Sequence, residues 1–149
     1  MTADLEFMQA ALAEARAAGH AGEVPIGAAV VFEGRVISTG QNSVLRRLDP
    51  TAHAEIVAMR GAAQVIGNYR LLGCTLYCTL EPCAMCAGAL IHARVGRLVY
   101  AAPDPKAGAC GSVLTVLNHP QLNHQMPVEQ GVRAEESAEL LRNFFRDRR

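Results

Sequence analysis

Two short motifs, thirty residues apart, set the strictest geometrical demand on this chain. The first, TAHAEIVAMR, carries His53 and Glu55, and the second, TLEPCAMC, carries Cys83 and Cys86. Each motif falls at the predicted start of a helix. Cys83 and Cys86 are three residues apart on one helix, so they share a face and can bind one ion. A fold that uses both motifs must bring two helix N-termini to one point.

The side chains in these motifs favour a zinc site with one open position. Thiolate and imidazole are preferred ligands of Zn²⁺, and a helix N-terminus favours the thiolate form of cysteine. His53, Cys83 and Cys86 supply three ligands, which leaves the fourth tetrahedral position for water, as in catalytic zinc sites. Glu55 lies close enough to His53, near a helix start, to exchange protons with that water.

Two other interpretations of the cysteines stay open. A C-x-x-C pair in a cytosolic α/β protein can be a redox pair, although the His-x-Glu motif then has no role. Cys74 and Cys78 could complete a four-thiolate structural site. Otherwise we expect Cys74, Cys78 and Cys110 to fill the core.

Strands and helices alternate along the chain after an initial hairpin. Apolar periodicity and capping residues predict helices over residues 3–18, 52–66, 83–93 and 135–149, with a short one at 112–117. They predict strands over residues 26–32, 35–39, 75–79, 98–101 and 128–132. Thr51 is the predicted N-cap of the second helix. The order predicts an α/β fold, in one domain spanning residues 1–149, with a mixed sheet and helices on both faces.

Composition limits the compartment and the partners. Half of the residues are hydrophobic, and 14 basic side chains balance 14 acidic ones, which excludes nonspecific coating of nucleic acid. The first seven residues hold two acids and no basic residue, unlike a signal peptide. The longest apolar run, residues 24–32, is too short for a membrane span. We therefore expect a cytoplasmic protein with reduced cysteines and no membrane partner.

The H-x-E and P-C-x-x-C motifs resemble those of the zinc-dependent nucleoside and base deaminases. Longer segments look like the TadA-type tRNA adenosine deaminases, namely EVPIGAAVV, DPTAHAEI, NYRLLGCTLYCTLEPCAMCAGALIHARVGRLVYAA, DPKAGACGS and FFRDRR. The resemblance implies a cytidine-deaminase-like fold of three layers, α/β/α, whose five-stranded sheet has the order 2-1-3-4-5 with strand 5 parallel to strand 4. It also implies a homodimer with one Zn²⁺ in each subunit, and residues 87–97 are a candidate dimer surface.

The resemblance further implies hydrolytic conversion of adenosine to inosine at the wobble position of a tRNA anticodon. In that mechanism His53, Cys83 and Cys86 hold the zinc, which lowers the pKa of its bound water. Glu55 delivers the proton to N1 of adenine while the hydroxide attacks C6. Glu55 then protonates the departing amine, and ammonia leaves.

Three residues near strand ends are expected to contact the substrate. Asn42 resembles the family asparagine that hydrogen-bonds the flipped nucleoside, and a simple turn residue is the alternative. Asp104 and Lys106 lie in the loop after the fourth strand. They could contact a ribose 2′-hydroxyl and a phosphate, or they could be a loop-capping aspartate and a solvated lysine.

The C-terminal end carries the local positive charge. Residues 142–149 have a net charge of +3 and the rest of the chain −3, and the basic residues are Arg142, Arg146, Arg148 and Arg149. We expect Arg146 and Arg148 to contact an anticodon stem-loop, although a solvated helix end is the alternative. Along the same helix we expect four apolar side chains to face inward: Leu140, Leu141, Phe144 and Phe145.

Two other functions remain compatible with the motifs. A small-molecule deaminase acting on guanine, cytosine or a free nucleoside shares the zinc and Glu55 chemistry, but the loop over residues 104–112 and the Arg-rich terminal helix argue against it. A zinc-stabilised binding module without catalysis would need a fourth protein ligand on the metal.

Overall fold

The computed structural model describes residues 2–148, with side chains from residue 3 onward, and contains one five-stranded sheet and five helices within that range. The strands are β1 Gly27–Phe32, β2 Arg35–Gln41, β3 Thr75–Leu80, β4 Arg97–Ala102 and β5 Val128–Gln130. The helices are α1 Thr2–His20, α2 Val44–Arg47, α3 Ala54–Ile66, α4 Ala84–His92 and α5 Ala134–Arg146. No described helix is both long and apolar enough to cross a membrane.

The strand order is β2-β1-β3-β4-β5, as the resemblance implied. β1 pairs antiparallel with β2 and with β3, whereas β3, β4 and β5 run parallel. The β1–β2 turn uses Glu33 and Gly34, both with positive φ, which is the conformation of a two-residue hairpin turn. The mixed sheet and its order confirm the predicted fold class.

Helices cover both faces of the sheet. Along β1, Ala28 and Val30 pack in the core cluster that holds α3 and α4, whereas Ala29 and Val31 pack in the cluster that holds α1. This alternation follows from the two-residue period of a strand. Because α5 contributes Leu140 to the α1 side, the layers are α1/α5, sheet and α3/α4.

The close packing of α3 on β2 depends on Gly40. A Cβ atom at this position would lie 2.4 Å from the carbonyl oxygen of Ala54 and 2.6 Å from the backbone nitrogen of Ala58. The contact is with helix backbone, which cannot move aside as a flexible side chain can. Glycine at position 40 therefore sets the height of the N-terminal turns of α3 above the sheet.

Several predicted elements differ from the structure. The short helix expected at 112–117 is wrong: the segment makes an isolated bridge between Cys110 and Thr115, and the N–H groups of Cys110 and Ser112 donate to the Glu81 carboxylate. Because these donors serve a distant side chain, the backbone does not close helical turns there. The predicted loop at 41–50 contains the one-turn helix α2.

Two predictions on individual residues are also wrong. The N-cap of α3 is His53 and not Thr51, whose N–H and hydroxyl both donate to Asp49 Oδ1. Phe145 is 51% exposed and does not point inward, although Leu140, Leu141 and Phe144 are partly buried.

Candidate active site

The residues of the two motifs meet where α3 and α4 begin. His53 is the N-cap of α3 and Cys83 the N-cap of α4, and neither side chain makes a capping hydrogen bond. Cys86 lies in the first turn of α4 and is fully buried. The N-cap positions leave the imidazole and thiol free to face each other across the gap between the helices.

The geometry of the three side chains fits a zinc ion. His53 Nδ1 lies 3.6 Å from Cys83 Sγ and 3.5 Å from Cys86 Sγ. Tetrahedral zinc with bonds of about 2.3 Å to sulfur and about 2.0 Å to nitrogen separates such atoms by about 3.5 Å. All three ligand atoms lie within 4.8 Å of one another. The donor set, two thiolates and one imidazole, is also the one that zinc prefers.

The cluster holds three ligands among the described residues. Cys74 and Cys78 do not belong to it, so the four-thiolate interpretation is contradicted. Glu55 is likewise outside the cluster. Three protein ligands leave a tetrahedral ion one position for another group, which distinguishes this arrangement from a closed structural site.

The electrostatics of the cluster favour negative charge on Cys83. Hydrogen bonds from Cys86 and His53 lower the pKa of the Cys83 thiol to about 3. The hydrogen bond with Cys83 and burial raise the pKa of the Cys86 thiol. The hydrogen bond with Cys83 also raises the pKa of His53. These contacts therefore favour the thiolate form of Cys83, and the positive dipoles of the two helix N-termini act in the same direction.

Glu55 lies in the first turn of α3 and is only 4% exposed. Burial raises the pKa of this carboxyl group. It lines a pocket of about 170 Å³ together with His53 and Cys83. The buried carboxylate thus shares a cavity with two of the three ligand residues.

The pocket also brings in two of the residues expected to contact the substrate, Asn42 and Asp104, together with the apolar walls Ile26, Val44 and Leu80. Its volume is below the about 300 Å³ at which pockets for drug-sized ligands begin. A volume of about 170 Å³ is of the size of a single planar base. Lys106, Arg146 and Arg148 do not line it.

Asn42 is held in one orientation. Its N–H donates to the carbonyl of Ile26, and its Nδ2 donates to the carbonyl of Val24 at 3.3 Å. Its Oδ1 is buried and has no hydrogen-bond partner among the residues that the structure describes. A buried acceptor without a partner is costly, so it points to a donor supplied by a ligand.

Asp104 acts within its own loop. Its Oδ1 accepts hydrogen bonds from the backbone N–H groups of Lys106 and Ala107. This is the loop-capping arrangement that the sequence left open. The capped turn directs residues 104–107 between the pocket and the neighbouring groove.

A wider groove of about 1170 Å³ adjoins the pocket and shares Ile26, Leu80 and Asp104 with it. The groove is lined by the predicted basic residues Lys106, Arg142, Arg146 and Arg148, and by Phe145. The pocket therefore opens toward this groove, which we call the basic groove because of its four basic side chains.

The arginines along the groove differ in their local contacts. The Arg148 guanidinium lies 3.6 Å from the centroid of the Phe144 ring, and that of Arg146 contacts Asp147 at 3.4 Å. Both contacts are local to the C-terminal end of α5, where they leave the basic side chains at the surface. Arg149, which was expected to add to the same charge, lies outside the described residues.

Two buried carboxylates beside the pocket were not predicted from the sequence. Glu81 is 2% exposed and accepts hydrogen bonds from the backbone N–H groups of Asp104, Cys110 and Ser112. Glu23 is fully buried and accepts from the N–H groups of Leu45 and Arg46. The sequence does contain a signal for both residues, because each is an acid directly before a pair without charge. Glu23 precedes Val-Pro, and Glu81 precedes Pro-Cys.

The comparisons with known proteins agree with this arrangement. The model of the MafB19-like deaminase family matches residues 2–149. A tRNA-specific adenosine deaminase from Agrobacterium fabrum is 50% identical over 143 residues, which cover 96% of this chain and 94% of the relative. The chain spans nearly the whole length of that relative, so the similarity is not confined to the metal motifs.

Solved structures of deaminases have the same fold as this chain. A structure from a study of A-to-I editing by tRNA:A34 deaminases at the wobble position has a TM-score of 0.88 and 48% identity, covering 91% of this chain and 99% of that one. Guanine deaminase from Nitrosomonas europaea has a TM-score of 0.81 but 28% identity, covering 94% and 83%. The chain belongs to the MafB19-like deaminase family and, within it, to the TadA-type tRNA adenosine deaminases of the cytidine deaminase superfamily.

Proposed function

We propose that this protein removes the amino group of adenosine by hydrolysis, at the wobble position of a tRNA anticodon, and forms inosine and ammonia. The observation that carries the proposal is the cavity itself. A buried carboxylate, Glu55, shares a base-sized pocket with His53 and Cys83 of a three-ligand cluster, and the pocket opens onto a basic groove. The relatives named tRNA-specific adenosine deaminases support the substrate.

His53, Cys83 and Cys86 would hold one zinc ion per subunit. Zinc supplies Lewis-acid chemistry that lowers the pKa of a water molecule to near neutrality. The protein positions the ligands from two helix N-termini, whose dipoles stabilise the thiolates.

Glu55 moves the protons of the reaction. Its carboxylate takes a proton from the attacking water and places it on N1 of adenine, which makes C6 more electrophilic. The water oxygen bonds to C6. Glu55 then passes the second proton of the water to N6, the C6–N6 bond breaks, and ammonia leaves. Burial of Glu55 keeps bulk water from competing for these protons.

Asn42 and the apolar walls position the nucleoside. We expect the Asn42 Oδ1 to accept a hydrogen bond from a substrate donor, such as a ribose hydroxyl, because Nδ2 is already engaged by Val24. Ile26 and Leu80 supply apolar surface for the base. A base can enter this pocket only after it leaves its stack, which an anticodon loop allows at low energetic cost.

The groove would bind the nucleotides that flank the target. Lys106, Arg146 and Arg148 would contact phosphates, while the free carboxylate oxygen of Asp104 would accept from a 2′-hydroxyl. Phe145 is exposed within the groove and offers a ring on which a neighbouring base can stack. These contacts explain how a neutral chain would recognise an RNA stem-loop.

We also propose that the protein is a cytoplasmic homodimer with residues 87–97 at the interface. α4 carries no acidic residue, lysine or arginine, and its Gly88, Ala89 and Ile91 are only partly covered within one chain. Such an uncharged helix surface suits burial against a second copy. Sedimentation velocity tests this: a mass of two chains supports the proposal, and a single-chain mass at micromolar concentration contradicts it.

A guanine or free-nucleoside deaminase is the second candidate, favoured by the structural likeness to guanine deaminase. The decisive experiment incubates the zinc-loaded protein with an unmodified tRNA pool and with free guanine, cytosine and adenosine. Inosine at the first anticodon position supports the tRNA enzyme. Comparable or faster ammonia release from a free base or nucleoside contradicts it.

A further inference from the structure

Glu23 is a charged side chain buried where no charge is expected. It lies between α1 and β1, is fully inaccessible to solvent, and does not line the pocket of the candidate active site. Its Oε1 accepts from the N–H of Leu45 at 3.2 Å, and its Oε2 accepts from the N–H of Arg46 at 2.9 Å. Burying a carboxylate costs free energy unless such donors compensate it, so its position calls for an explanation.

The donors of these bonds belong to α2, whose first residue, Val44, lines the pocket. Leu45 and Arg46 are the second and third residues of α2, whose own N-cap, Ser43, makes no capping hydrogen bond. Glu23 therefore satisfies the N-terminal donors of α2 from a distant part of the chain. Burial acts to raise the pKa of Glu23, but the bonds from Arg46 and Leu45 bring it below the ordinary value.

Arg46 extends the connection toward Asn42. Its Nε donates to Glu23 Oε2 at 3.2 Å, and its terminal nitrogen donates to the backbone carbonyl of Asn42 at 3.0 Å and to Gln41 Oε1 at 2.9 Å. Asn42 is also tied to the segment that follows Glu23, through the carbonyls of Val24 and Ile26. Glu23 thus stands at one end of a continuous set of bonds that ends on Asn42.

Asn42 has the buried Oδ1 without a described partner, so its exact placement decides whether a substrate donor can reach it. We propose that Glu23 is a positioning residue for the substrate: through α2 and Arg46 it holds Asn42 in the orientation that leaves Oδ1 for the bound nucleoside. The inference rests on the proposed function, because it takes the nucleoside as the ligand of the pocket.

Glu23→Gln tests the role with little change in volume. The amide replaces one acceptor oxygen by an NH₂ group that faces a backbone or guanidinium N–H, so α2 loses part of its anchor. We expect kcat/KM on an anticodon hairpin to fall about tenfold, the effect of leaving one buried partner unpaired. We also expect faster amide hydrogen exchange in the peptide spanning residues 42–48, with zinc content unchanged.

A double-mutant cycle with Asn42→Ala separates positioning from general stability. If Glu23 acts through Asn42, Glu23→Gln lowers kcat/KM in the native background and has no further effect in Asn42→Ala. An equal fall in both backgrounds, or no fall in either, overturns the proposal. Arg46→Ala, whose side chain is 42% exposed, gives the same test without placing an amide in the core and should show a smaller fall with the same dependence on Asn42.

Asp4→Asn is the matched control. Asp4 is also a buried acid paired with an arginine, Arg97, but it lies on α1 and does not line the pocket. It should lower stability without lowering kcat/KM, and a fall equal to that of Glu23→Gln overturns the proposal. If the native protein forms no inosine, the proposed function fails. The hydrogen exchange of residues 42–48 then still reports whether Glu23 anchors α2.

Discussion

His53 and Cys83 both occupy the N-cap position of a helix, and their side chains face each other with 3.6 Å between Nδ1 and Sγ. An N-cap is normally Ser, Thr, Asp or Asn, whose oxygen accepts a helix N–H, and replacing such a cap costs about 1 kcal/mol. Neither residue makes that bond. The two positions favour metal binding over capping, and the bare helix N-termini add positive potential beside the thiolates.

This relationship predicts that zinc retention depends on the cluster and not on the other cysteines. Cys86→Ala should reduce bound zinc to well below one ion per chain, because the substitution leaves only two of the three protein ligands. Cys74→Ala, at a buried cysteine outside the cluster, should retain one zinc ion per chain. Metal content after dialysis, measured by mass spectrometry, checks both. Loss of zinc from Cys74→Ala, or full zinc in Cys86→Ala, contradicts the assignment.

Glu55→Gln should separate metal binding from catalysis. The amide keeps the size of the side chain but cannot carry a proton between water, N1 and N6. We expect kcat on an anticodon hairpin to fall by about 10²–10⁴-fold, the usual contribution of general acid–base catalysis, with zinc still bound. Glu139→Gln, an exposed acid on α5, is the control and should keep its activity. A Glu55→Gln rate close to the native one would rule out the proton-transfer role.

The parts of the fold that the sequence predicted are those governed by local pattern. Apolar periodicity located the five strands and the four long helices to within a few residues, and the Glu33–Gly34 turn followed from the glycine. The motif spacing predicted which side chains meet at the helix starts. The strand order did not follow from periodicity, which describes one element at a time, and came from the family resemblance.

The errors arise where a distant residue decides the local structure. The segment 112–117 has an apolar pattern suited to a helix, but Glu81, 31 residues before Ser112, takes its first backbone donors. Phe145 continues the apolar stripe of α5, yet periodicity does not show that the last turn of the helix lies beside an open groove. Glu23 and Glu81 were missed for the same reason, because their partners are remote in sequence.

Gly40→Ala should destabilise the protein and displace the active site. Its Cβ would lie 2.4 Å from the backbone of α3, so α3 must move away from β2, and overpacking of this kind costs about 1–3 kcal/mol. Because α3 begins beside His53 and Glu55, kcat should fall as well. Urea unfolding and kinetics measure both effects. Gly34→Ala, where a Cβ meets no atom within 4 Å, should lower stability only through its positive φ and leave kcat unchanged.

The Asp4–Arg97 pair should give a defined pH dependence of stability. Hydrogen bonds from Arg97 lower the pKa of Asp4 from 3.8 to about 2, so the native state binds fewer protons and gains stability above the unfolded pKa. The gain is about 2.5 kcal/mol at neutral pH, of which about 1 kcal/mol is lost by pH 3 and nearly all below pH 2.

Asp4→Asn removes this contribution at every pH. The difference in free energy of unfolding between native protein and variant should therefore shrink as the pH falls from 5 to 3, measured by urea titration. Glu6→Gln, at an exposed acid on the same helix, is the control. Its free energy of unfolding should differ from that of the native protein by the same amount at pH 5 and at pH 3. A constant difference between native protein and Asp4→Asn across that range would mean that the carboxylate is not held ionised by Arg97.

The basic groove predicts a salt-dependent contribution to RNA binding. Each phosphate contact adds about −0.7 to the slope of log affinity against log salt for single strands, so the double variant Lys106→Ala/Arg148→Ala should make the slope shallower by about 1.4 and weaken hairpin binding. Zinc content should not change, because neither residue touches the ligand cluster. Arg35→Ala, at an exposed arginine that does not line the groove, should leave the slope unaltered. Fluorescence anisotropy of a labelled anticodon hairpin at several salt concentrations measures this slope. An unchanged slope in the double variant would mean that the phosphates bind elsewhere on the protein.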